Sequence, residues 1–345
     1  MNPVLVQLRR GTAVESFHRG AIAIVDADGN VHTVLGDIDR PVYPRSAVKA
    51  LQALPLVASG AAEHFGLDDA ALALACASHG GEPGHVATAA GVLAKVGLDA
   101  RVLECGTHWP SHEASSRLLA REAAEPNALH NNCSGKHSGF VCLGCLMARE
   151  AGSEPEAFVR GYVSATHPVM REVTAALQAA TGYDLAHAPQ GVDGCSIPTF
   201  GIPLRHLAHG FARLATGLGL SPGHAEAARR LRRAVAKEPF MVAGTGRFDT
   251  RVMQHFGERV FCKVGAEGVY CAALPERGLG VAIKVDDGNT ARAAEVVMAR
   301  VIGALVQRDD ADAAALGDLV RVPLKNWNGI EVGQLETAAD LLIAH

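Results

Sequence analysis

The chain has 345 residues, enough for about two domains of ordinary size or one large one. With 48% apolar and 20% charged residues and a net charge of −4, it reads as a globular protein with a sizeable core, without the basic excess of a general nucleic-acid binder. No apolar run is long enough for a membrane span, and the first residues lack the pattern of an export signal. Eight cysteines spread along the chain suit reduced thiols, so a cytoplasmic protein with no nucleic-acid or membrane partner is expected.

In chain order, residues 4–9 read as a strand. Residues 21–25 and 31–35 flank Asp26-Ala27-Asp28-Gly29-Asn30, a hairpin signal. Pro41 and Pro44 punctuate the chain, and a helix is expected to open near Ser46. Alanine-rich periodic segments follow near 47–59, 68–76, 84–96, 112–123, 138–150, 167–181, 203–216 and 223–236. The pattern then returns to strands at 260–264 and 269–274, around Gly265-Ala266-Glu267-Gly268, and at 280–285; residues 290–307 read as a helix. Strands at both ends around a helical middle predict an α+β fold. Its mostly antiparallel sheet comes from a domain of residues 1–45 and 240–345, beside a mainly helical domain of residues 46–239. A site is expected where the two meet.

Of the 32 basic residues only seven are lysines, so a lysine within a motif is informative: unlike arginine it can give up its proton. Ser46-Ala47-Val48-Lys49 is an S-x-x-K, which on a helix places hydroxyl and amine on one face, the amine able to activate the hydroxyl. The same spacing also suits a capping serine and a solvated lysine. Ala77-Ser78-His79-Gly80-Gly81 offers a second hydroxyl beside backbone that can approach a ligand closely, or else a simple helix-ending turn. Asn131-Asn132-Cys133-Ser134-Gly135-Lys136-His137 gathers amides, a thiol and an amine; its cysteine reads as a low-pKa thiol, a metal ligand or part of a polar cap. Gly191-Val192-Asp193-Gly194-Cys195 presents a carboxylate suited to an ammonium group and a thiol that can join Cys133 at a metal, or a plain turn. Lys263-Val264-Gly265 ends a strand, the K-x-G context of serine acyl-transfer enzymes, or an exposed strand lysine.

The segments PRSAVKALQALP, ASHGGEPGH, HNNCSGKHSGF, GVDGCSIPTF and FCKVGAEGVY together resemble the asparaginase II family, the rhizobial-type L-asparaginases, over residues 4 to about 306. The resemblance implies hydrolysis of L-asparagine to L-aspartate and ammonia on a fold similar to serine β-lactamases and glutaminases. It implies Ser46 as nucleophile with Lys49 as its base, and Ser78 paired with Lys263. It also implies a zinc held by Cys133, Lys136 and Cys195 that tunes substrate binding, no organic cofactor, and a homodimer. Position within the motifs makes Arg45, His79, Gly80, Asn131, Asn132, Asp193 and Gly194 the substrate-binding candidates, with backbone N–H groups near Ser46 and Val264 or Gly265 as oxyanion donors. Three alternatives stand beside this. One is a glutaminase or other serine amidohydrolase of the same fold. Another is a non-catalytic amino-acid- or zinc-binding protein. In the third, Cys133 is the nucleophile.

Overall fold

The computed structural model describes residues 1–338; the last residues of the expected sheet domain, 339–345, lie outside the described residues. The β-prone runs form one sheet of eight strands: β1 (Val4–Arg10), β2 (Ala13–Asp26), β3 (Val31–Leu35), β4 (Phe261–Val264), β5 (Val269–Leu274), β6 (Leu279–Val285), β7 (Arg321–Lys325) and β8 (Glu331–Thr337). The order across it is β7-β8-β1-β2-β6-β5-β4, with β3 also on β2, and every pairing is antiparallel. Strands from the two ends of the chain therefore interleave, β6 lying directly on β2 with Ile283 opposite Ile22.

Seven helices matter for the site and its support: α1 (Lys49–Gln52), α2 (Asp69–Ala75), α3 (Ser134–Glu150), α4 (Leu204–Thr216), α5 (Phe248–Phe256), α6 (Glu295–Leu305) and α7 (Asp310–Val320). Residues 20–25 of β2 are all buried, so both faces of this stretch are covered and it reads as continuous apolar sequence without alternation. α4 supplies one cover. It approaches β6 so closely that a Cβ added at Gly280 would lie 2.0 Å from the Ala208 carbonyl oxygen, which only glycine allows. The largest apolar core joins strand residues such as Ile22 and Ile283 with Leu51, Leu72 and Phe211 from the helices.

The helical middle also holds short strands. Gln190–Val192 pairs with Pro198–Phe200, and Pro41–Val42 pairs with Ile202–Pro203. The segment expected as one helix at 290–307 begins as a π-helical turn, Thr290–Ala294, before α6. α5, α7, β7 and β8 lie where no element was expected from the sequence; β8 covers the flank of β1 that would otherwise be a free edge. No helix among the described residues is long and apolar enough to cross a membrane.

Candidate active site

Arg45–Val48 is a 3-10 turn that runs into α1, so Ser46 and Lys49 straddle the junction, one turn apart on the same side. Arg45 sits at φ +51°, a left-handed conformation that costs a side-chain-bearing residue roughly 1–2 kcal/mol and persists only where its surroundings impose it. Next to it, Pro44 packs against a neighbouring strand. A Cβ at Gly265, just past β4, would fall 2.6 Å from the Pro44 carbonyl oxygen, so the glycine lets the lysine-bearing strand press against this turn. α2 ends at Ala75 and the chain leads on to Ser78, whose N–H donates to Val242 O (2.8 Å).

These elements bring one hydroxyl between two amines. Ser78 Oγ lies 3.0 Å from Lys49 Nζ and 3.0 Å from Lys263 Nζ. Both lysines are buried, at 1% and 0% exposure, whereas Ser78 and Ser46 are half-buried. Lys49 Nζ also reaches Ala77 O, Asn132 O (3.4 Å) and Cys133 Sγ (3.1 Å), so its donors are fully engaged. Lys263 Nζ has one further acceptor, Val264 O (2.9 Å). Burial, helped by the neighbouring charge of Lys49, brings the Lys263 amine down to about 7 despite the opposing pull of Asp249. A neutral amine facing Ser78 is thus accessible near neutral pH. The Ser78–Lys263 couple expected from the motifs is in contact. Lys49, by contrast, bonds Ser78 and makes no hydrogen bond to Ser46, whose hydroxyl has no partner among the described residues.

A second cluster adjoins the first. Cys133 precedes α3, Lys136 lies in its first turn, and Cys195 sits in the loop joining Gln190–Val192 to Pro198–Phe200, beside a strained Ser196 (φ +76°). Lys136 Nζ lies 3.1 Å from Cys195 Sγ. Interaction with Cys195, together with the Lys49 and Lys136 amines, holds the Cys133 thiol well below its ordinary range against burial, whereas Cys133 and burial raise that of Cys195. Burial works against charge on Lys136, but Cys133, Cys195 and Asp193 outweigh it and raise its amine. Among the described residues no three His, Cys, Asp or Glu side chains converge as a metal site; here a lysine completes the sulfur pair.

The substrate-binding candidates divide. Arg45 pairs with Asp193 at 2.9 Å, and Asp193 also accepts from Gly194 N (2.6 Å), leaving a guanidinium and a carboxylate side by side. Burial alone would raise the Asp193 carboxyl, but Lys136 and Arg45 hold it below its usual range. Asn132 is half-buried and its side-chain amide makes no hydrogen bond among the described residues. Asn131 is different. Its Nδ2 donates to Cys105 O (2.9 Å) and Gly106 O (3.2 Å), and its Oδ1 accepts from Cys133 N (2.8 Å), so its amide is spent on shaping the loop. His79 is likewise internal: its Nδ1 accepts from Gly81 N (3.1 Å), which assigns the proton to Nε2, facing Ser134 Oγ at 2.9 Å. Burial keeps this imidazole neutral. Gly80 packs its backbone on His112 and accepts from His112 N (3.0 Å). The N–H of Gly265 donates to Val269 O (2.8 Å) and that of Val264 to Asp249 Oδ2 (3.4 Å), so neither is free for an oxyanion. The Ser46 N–H makes no hydrogen bond among the described residues.

Sequence reasoning missed Glu82. Its carboxylate accepts from Thr245 N (2.8 Å) and Thr245 Oγ1 (2.7 Å), tying down the loop beyond Val242, the residue whose carbonyl holds Ser78. The signal was available: Glu82 and His85 form a reciprocal helix cap, and the glycines either side of Thr245 mark a loop free to approach it. A surface groove of about 800 Å³ is lined by Arg9, Arg321, Glu331 and Glu336, among others, and by none of the candidate residues.

The family profile described as L-asparaginase II matches residues 6–337. No curated protein is a significant match. Among solved structures, that of Mglu in its native form is 17% identical with a TM-score of 0.38, over 90% of this chain and 71% of that one. A β-lactamase from Mycobacterium bovis is 15% identical with a TM-score of 0.38, over 83% of this chain and 94% of that one.

Proposed function

Because the chain belongs to the L-asparaginase II family, a family of amidohydrolases, we propose that it hydrolyses L-asparagine to L-aspartate and ammonia through a seryl acyl-enzyme. One observation carries this reading: Ser78 Oγ stands between two buried lysine amines, 3.0 Å from each, and one of them, Lys49, opens the helix that follows the turn bearing the unpartnered Ser46 hydroxyl. A hydroxyl held this way can pass a proton between the amines and the reacting group, as nucleophilic attack on an amide requires. Ser46 is the nucleophile. Lys49, Ser78 and Lys263 form the array that takes its proton and returns one to the departing ammonia; water then cleaves the ester. The free N–H of Ser46 is suited to the oxyanion. The Arg45–Asp193 pair and the Asn132 amide offer a cation, an anion and a neutral polar group to the two ends of an α-amino acid. On this reading the reaction lies where segments 1–45 and 240–345 meet segment 46–239.

The donor chemistry of the second cluster, two buried thiols beside a lysine amine, fits zinc. Cys133, Lys136 and Cys195 would hold the metal, which when bound adds positive charge beside the substrate and displaces protons from its ligands. Metal analysis of purified protein is expected to find about one zinc per chain, and Cys195→Ser to lose most of it while keeping its melting temperature within a few degrees. Equal zinc in parent and variant would remove the assignment. The homodimer expected for the family is checked by sedimentation.

The test of the function is ammonia release from asparagine and glutamine by the purified protein. Release from asparagine is expected to dominate. Dominant release from glutamine would favour a glutaminase, and ligand binding without ammonia would leave a non-catalytic binder. A second reading has Ser78 as nucleophile, favoured by its direct contact with both amines.

A further inference from the structure

β4 is the last strand of the sheet, and its outward-facing N–H at Val264 needs a partner that no strand supplies. That partner is Asp249, in the first turn of α5. The residue is 2% exposed and its carboxylate makes no ion pair among the described residues. It accepts from Val264 N (3.4 Å), from the Tyr270 hydroxyl on β5, and from the Cys262 thiol (3.7 Å). The residues it touches bracket Lys263 on both sides. A buried carboxylate without an arginine or lysine in contact is costly unless its charge is used.

We propose that Asp249 is a positioning residue for Lys263: seated against the outer edge of β4, its carboxylate anchors the strand segment that carries the lysine and presents a fixed negative charge to its amine. The role rests on the serine–lysine reading above. The charged and titratable groups around Lys263 are Lys49 on α1, Cys133 before α3, Arg247 before α5, Asp249 itself, and the thiols of Cys76 and Cys271. Around Asp249 stand Cys262, Tyr270 and Glu295 on α6. Burial and the Asp249 charge lift the Glu295 carboxyl to about 7, so this acid is largely uncharged below neutrality and leaves the carboxylate of Asp249 as the negative charge behind the strand. Lys49 and Arg247 disfavour a proton on Lys263, whereas Asp249 and, less strongly, Cys133 favour one. The anion therefore keeps the amine basic enough to collect a proton during turnover, against the desolvation that would otherwise leave it too weak a base.

The experiment follows the lysine directly. With seven lysines in the chain, ε-13C-labelled protein gives a resolvable NMR titration, and loss of one resonance in Lys263→Met assigns it. In Asp249→Asn, which keeps the shape and one acceptor oxygen but removes the charge, the Lys263 midpoint is expected to fall by about 1–3 pH units. Tyr270→Phe, which keeps the charge and removes one tether, is expected to leave the midpoint in place whatever it does to melting temperature. If Asp249→Asn does not fold, Asp249→Ser serves as the second neutral variant. An unmoved midpoint in the neutral variant, or an equal movement in Tyr270→Phe, overturns the proposal. The acid limb of kcat/KM should move with the midpoint. Should the protein release no ammonia from any amide, that arm fails with the functional reading while the NMR arm still decides this one.

Discussion

In the Ser46→Ala protein, ammonia release from asparagine is expected to fall by a factor on the order of 10⁴–10⁶, the loss seen when a covalent nucleophile is removed and only binding and oxyanion contacts remain. Ser78→Ala is expected to cost less, about 10²–10⁴, the range of a proton-transfer group. The reason lies in the hydrogen bonds. Ser46 Oγ has none among the described residues and is free to meet a substrate carbon, whereas Ser78 Oγ is already shared between Lys49 and Lys263 at 3.0 Å each. Rapid quench with asparagine followed by peptide mass spectrometry separates the two serines. The parent and Ser78→Ala should carry an aspartyl adduct on the peptide containing Ser46, and Ser46→Ala should carry none. An adduct on Ser78, persisting in Ser46→Ala, would exchange the two roles and favour the second reading.

How far this arrangement is legible in the sequence depends on the residue. The hairpin at Asp26–Asn30 and the one at Gly265–Gly268 are announced by their turn chemistry, and both form. Strand β7 is not announced, because Pro323 interrupts it. Proline is tolerated there because β7 is the edge of the sheet, with β8 as its partner in the described pairing. The partner of Lys49 is hidden for a different reason. The S-x-x-K spacing fixes the face from which the side chain leaves the helix, but not the goal of four flexible methylenes. That goal is set by the carbonyls of Ala77 and Asn132 and the hydroxyl of Ser78, all distant in sequence. The left-handed backbone at Arg45 has no sequence signal at all, since arginine does not favour it; it lies beside the close approach of Gly265 to Pro44. Asn131 misleads in the opposite direction: its amide invites a ligand on paper, and the fold spends it on Cys105, Gly106 and Cys133.

Lys263→Met is the substitution whose effect is most specific to pH. The parent amine, brought down to about 7 chiefly by burial, must be neutral to accept a proton through Ser78, so kcat/KM is expected to rise with pH through that value. Methionine preserves length and removes the base. Activity should drop by about 10²–10⁴ and the limb near neutrality should vanish, whereas Lys263→Arg, which cannot lose its proton, should be equally inactive across the whole range. Stability carries the same signature with a definite sign. Between about pH 7 and the ordinary lysine value of 10.5 the unfolded chain binds a proton at this residue that the folded one does not, so the parent gains stability from this group as pH rises through that window. Below it both states are protonated and the desolvation cost is felt in full. Urea unfolding at several pH values between about 6 and 9 should therefore show a steeper rise with pH for the parent than for Lys263→Met. Parallel curves would mean that Lys263 keeps its ordinary proton affinity in the folded protein, and the base of the Ser78 couple would have to be sought at Lys49.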